Sequence, residues 1–263
     1  MASPTPQRFR TLVLLYPVLD ARWGSGLNRH RARRVMTREE RAAVEGVVER
    51  LPATVLDWSD GLAALSPLDV IEVRRPIPSL SSSGGGRWWV GPRECREALE
   101  MHAAPDRYDS VIALWPCDPD VPQCGWGCTI GPSEATFGAG FSSISTDHWR
   151  TLATDPTPEQ GYVHEWLHQV EAVYRALGLG EPELPGLHDA GDFTSTRPLD
   201  QAPFGHSYAG YHDGVAGDPR TGARTWAPWY QDWMTGRLRP IGTGDAPAIP
   251  IGLTAGRWAR RTR

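Results

Sequence analysis

A chain of 263 residues, 40% hydrophobic and 22% charged, is long enough to bury a sizeable core, which excludes a disordered chain as the default reading. Its formal charge of −4 supplies no global attraction to nucleic acid or to an anionic membrane. No stretch approaches the roughly 20 apolar residues of a membrane span, so neither nucleic acid nor membrane is expected as a partner.

The opening segment has a basic stretch and then an apolar one, but Tyr16-Pro17 and Asp20 cut the apolar run and no small-residue cleavage site follows. That pattern fits a buried first strand over 11–19 better than a signal peptide, and with it a soluble, cytoplasmic protein is expected. The Arg-rich run 22–41 leads into a helix over 37–51, opened by the Thr37 cap with Glu40 three residues on. Its arginines, like those of the tail 257–263, are read as a solvated face, because the whole chain is acidic. A strand over 68–73 follows, then a flexible Ser-Gly loop over 79–89 that lacks the Lys-Ser or Lys-Thr of a phosphate loop. A helix over 91–104 and a strand over 110–115 complete an alternation of strands and helices. This predicts a mixed, largely parallel sheet with helices, an α/β to α+β fold.

Beyond residue 116 the texture turns to Pro, Gly and Trp. Cys117, Cys124 and Cys128 sit seven and four residues apart and match no CxxC metal knuckle. A structural role is expected for them first and a disulfide second. The stretch 134–145 reads as a further strand, and a long helix is predicted over 157–177, with Pro158 in its first turn, Glu159 at its positive end and a Gly-rich stop. The remainder, 179–256, is Gly-, Pro- and aromatic-rich, with a short helical stretch over 227–238. We therefore expect an N-terminal α/β subdomain over 8–178 and an irregular, loop-rich C-terminal subdomain over 179–256, together one domain.

The long helix carries His164-Glu165-Trp166-Leu167-His168. Residues four apart share a helix face about 6 Å apart along the axis, so His164 and His168 can grip one Zn2+ ion. Glu165 then stands beside them as a candidate general base toward a bound water, while Trp166 and Leu167 point away and anchor the helix. This HExxH pattern resembles the zincins, zinc-dependent metallopeptidases. The resemblance implies a zinc hydrolase acting on a peptide or protein substrate, with 134–145 as the sheet edge that would align it.

Metzincins continue with Gly and a third His, whereas this chain has Glu171 and Tyr174 there. Glu171 lies about 10 Å along the axis from His164, which suits an outer hydrogen-bond acceptor or a surface charge better than a ligand. The third ligand is sought after the turn, where "GLHDAGDF" weakly resembles the aspartate-type zincins. His188 is the first candidate, ahead of Asp189, with Glu183, Asp192, His206 and His212 behind. Tyr208 or, preferred, Tyr211 is the candidate donor to an oxyanion.

Two other classes stay open. The twelve Trp residues suggest sugar-stacking platforms in a glycan-binding protein, although core packing explains most of them. Alternatively, zinc serves only to staple the two subdomains, with no catalysis.

Overall fold

The computed structural model describes residues 5–24, 29–116, 118, 120–122, 127–146, 157–197, 226–242 and 249–261. It is a mixed α/β fold with parallel and antiparallel strands, β1 to β12, and helices α1 to α5, both numbered in chain order among the described residues. The central sheet has five strands in the order β4, β1, β8, β10, β9: Ala63–Glu72, Gln7–Leu15, Ser110–Trp115, Gly140–Ser145 and Gly127–Ile130. All pair in parallel except β9, which runs antiparallel along the outer side of β10.

Side-chain alternation sorts the core onto the two faces of this sheet. Phe9, Val13 and Leu15 of β1, with Ile112 and Leu114 of β8, face one cluster; Leu12, Leu14, Val111 and Ala113 face the other. Being covered on both sides explains why these strands read as unbroken apolar runs. The first face carries α1 (Arg38–Trp58), α3 (Gln160–Ala176), α4 (Ala227–Thr235) and α5 (Ala255–Trp258). Over the second face lie α2 (Arg96–His102) and a three-stranded sheet of β3 (His30–Val35), β2 (Val18–Trp23) and β5 (Ile77–Ser79). Two small ribbons, β6 (Ser81–Gly84) with β7 (Arg87–Trp89) and β11 (Phe193–Ser195) with β12 (Leu238–Pro240), complete the strands.

Several expectations are corrected here. The strand expected over 11–19 divides at Tyr16-Pro17 into β1 and β2. Helix α1 continues through Pro52 to Trp58, because its buried stripe extends to Val55 and Trp58 and outweighs the one lost backbone bond. Residues 79–89, expected as a loop, form the β6–β7 hairpin: Gly84, Gly85 and Gly86 all take positive φ, which three consecutive glycines adopt without a Cβ clash. The stretch 134–145 is a 3-10 turn followed by β10, and it is not the sheet edge; that place belongs to β9, which was missed.

Cys128 is disulfide-bonded. Cys95 is free and buried, and Cys117 and Cys124 lie outside the described residues. The arginines of 22–41 are in part paired across local structure, Arg31 with Asp20 and Arg34 with Glu40. Among the described residues no helix is long and apolar enough to cross a membrane.

Candidate metal centre

Helix α3 lies on β10 and β9 because both strands leave room for it. A Cβ on Gly140 would come within 2.8 Å of Gln169 Cβ, and one on Gly127 within 2.9 Å of Glu165 Cδ. Between them Ser142 Oγ donates to the Glu165 carbonyl at 2.9 Å, and Gln169 Nε2 donates to Ser142 Oγ. On the opposite side Val163, Trp166, Leu167 and Val170 are buried, with the Trp166 ring edge-on to Phe9 at 5.3 Å between centroids. Leu177, just past the end of the helix, is exposed. This seating leaves His164 and His168 facing a cleft of about 550 Å³.

His188 enters the cleft from the segment after α3, and tryptophans hold that segment in place. Trp233 Nε1 donates to the Pro185 carbonyl and Trp229 Nε1 to that of Leu187, each at 2.9 Å. Both indoles are fully buried, as core packing of the tryptophans requires, so neither is available as a sugar platform. Asp189 stabilises the same turn, its Oδ2 accepting from Gly186 N at 2.9 Å.

His164, His168 and His188 thus come together, with one ring nitrogen from each lying within 4.8 Å of the others. Nε2 of His164 and Nε2 of His168 are 3.1 Å apart. Two nitrogens bound to one zinc at about 2.05 Å and a tetrahedral angle lie about 3.3 Å apart, so this pair is already spaced for a shared ion. The far nitrogens are anchored: Nδ1 of His164 is 2.8 Å from Tyr230 Oη, and Nδ1 of His168 is 3.3 Å from Glu171 Oε2. With the proton on Nδ1 donated to those oxygens, each Nε2 lone pair is left for a cation. Burial, reinforced by His168 and His188, pushes the His164 imidazole well below its ordinary pKa, which keeps it neutral and able to ligate. The residues therefore fit a divalent metal ion.

The other candidates for the third position lie elsewhere. Besides Asp189, the Glu183 carboxylate pairs with Arg257 at 3.3 Å, and Asp192 is exposed outside the cluster. His206, His212, Tyr208 and Tyr211 fall outside the described residues. Tyr230 and Glu171 are the supporting groups of the site. Glu171 was legible as an outer acceptor, whereas no spacing signalled Tyr230, which reaches His164 from 66 residues away.

The expectation of a zincin-type metallopeptidase is corrected by this geometry. The metal-competent cluster is three imidazoles, with no carboxylate among its members. Glu165, expected as the base of a zinc hydrolase, is 4% exposed, lies against Gly127, and accepts from Thr129 Oγ1 at 2.7 Å. Burial raises its pKa against the opposing pull of Thr129 and His168. It acts as a strut between α3 and the edge strand β9, and the protease reading falls with it. The helix expected to be a peptidase helix is instead the helix that brings two of the three histidines to the cluster.

The chain matches no known protein family and no curated protein sequence.

Proposed function

We propose that this is a non-catalytic zinc-binding protein in which one Zn2+ ion, held by His164, His168 and His188, staples the subdomain 8–178 to the subdomain 179–256. The observation that carries the reading is the paired anchoring of the two helix histidines. Tyr230 and Glu171 hold both rings so that their Nε2 atoms stand 3.1 Å apart, close to the spacing that one zinc ion sets and bridged by a shared proton when no ion is bound. Three neutral imidazoles suit zinc among the common divalent ions, whereas magnesium and calcium prefer oxygen donors. The ion supplies a cross-link: His164 and His168 come from α3, and His188 from the segment that Trp229 and Trp233 fasten to α4.

Metal analysis of the purified protein by mass spectrometry tests this. One zinc per chain in the parent and none in His188→Ala is the expected result. A parent protein that takes up no zinc, or a His188→Ala variant that keeps its full complement, refutes it.

A further inference from the structure

We infer that the fourth position on the ion is filled by an oxyanion, a carboxylate or phosphate group of a small ligand, with Arg87 as its second anchor. The inference rests on the metal reading above and concerns what the same cleft takes up.

Charge balance leads to it. Three neutral imidazoles leave both positive charges of a divalent ion uncompensated, and zinc with three protein ligands keeps a fourth place. Among the described residues lining the cleft, Glu165 and Glu171 are offset by Arg87 and Arg175, so these side chains together cancel none of the ion's charge. The two arginines differ. Arg175 is committed to Glu171 at 2.8 Å and Glu181 at 3.5 Å. Arg87 is exposed on the cleft rim and pairs with no acid among the described residues. The glycine turn 84–86 places it there as the first residue of β7. A guanidinium offers a planar fork matched to two oxygens of a carboxylate or phosphate. An oxyanion lodged between the ion and that fork would offset the ion's charge, by one unit for a carboxylate and by up to two for a phosphate.

The test uses cobalt in place of zinc, because its visible absorption reports a change of ligand. The full chain is loaded with Co2+, freed of excess metal, and titrated with acetate, with inorganic phosphate, and with neutral acetamide. A saturable band shift with acetate or phosphate, none with acetamide, and about tenfold weaker binding in Arg87→Gln at equal cobalt content is expected. Whichever anion saturates at lower concentration identifies the oxyanion. No shift with either anion, on protein carrying one cobalt per chain, overturns the inference and leaves the metal reading standing. Failure to take up cobalt overturns the metal reading itself. Undiminished affinity in Arg87→Gln removes Arg87 from the site.

Discussion

The hydroxyl of Tyr230 stands 2.8 Å from Nδ1 of His164, joining the buried helix α4 to the helix that carries two of the three clustered histidines. It fixes the ring and the tautomer that turns Nε2 toward the Nε2 of His168. Replacing Tyr230 with Phe keeps the aromatic ring and removes the hydroxyl that meets His164. Zinc affinity should fall ten- to a hundredfold, in the range typical of lost outer-shell partners. Competition against a chromophoric chelator measures it, and unchanged affinity would show that the contact does not orient the ligand.

If the ion staples two parts of the chain, its removal must lower stability by mass action. At a free zinc concentration about 100 times the Kd, binding adds about 2.7 kcal/mol. The parent should therefore melt several degrees lower after chelation, and His188→Ala should melt at that lower temperature with or without zinc. His188 is exposed, so its loss costs the metal-free protein little packing. A chelator-independent melting temperature in the parent would count against the staple.

Much of this architecture could be read from the chain, and the failures have physical causes. β8 was placed residue for residue at 110–115, because a strand buried on both faces is a continuous apolar run with sharp ends. The histidine pair was visible because one helical turn fixes its spacing. β9 was not, since "GCTI" is four residues long and only half-buried. That omission matters most at Glu165, whose partner Thr129 lies on β9. Helical spacing puts Glu165 beside the histidines but says nothing of a neighbouring strand that covers it. His188 was one of several polar residues after the turn, and what singles it out is the hold of two distant tryptophans on the backbone around it.

The strut role of Glu165 is itself open to test. Gln keeps an oxygen that accepts from Thr129 and removes a charge that burial disfavours. Glu165→Gln should keep one zinc per chain, with stability to urea unchanged or raised by up to about 1 kcal/mol. Loss of zinc from this variant would instead place the carboxylate among the groups that hold the ion.

The cysteines give a simple count. Cys95 is free, and Cys128 is disulfide-bonded. Protein purified without reductant and then denatured should expose two thiols of the four to Ellman's reagent. Four thiols would mean that the bond does not form, and Cys128→Ser should cost about 2–4 kcal/mol where it does.

Acid should weaken the metal-free fold in a window set by His164. Burial first, then His168 and His188, hold its pKa well below the ordinary 6.5. Between the lowered value and 6.5 the unfolded chain binds a proton that the folded chain excludes, so stability increases with pH across that window and levels off above it. Asp109 and Glu171 are shifted down as well, Asp109 by its bonds to Arg10 and Glu171 by those to His168 and Arg175, each against the opposing effect of burial. Their contributions are complete above the ordinary values of 3.8 and 4.5 and are lost only as pH falls below these. Glu165 works in the opposite sense, because burial raises its pKa above the ordinary 4.5 and its contribution falls as pH rises, so the share due to His164 is the part of the slope that His164→Gln removes. Urea midpoints of the metal-free parent should decline as pH drops through the His164 window, and the decline should flatten in His164→Gln. Bound zinc competes for the same nitrogen, so the holoprotein should show a steeper loss at the pH where the ion leaves. Midpoints of the parent and of His164→Gln that run parallel from neutrality down to pH about 5 would mean that His164 accepts its proton without penalty, as an imidazole in open solvent does.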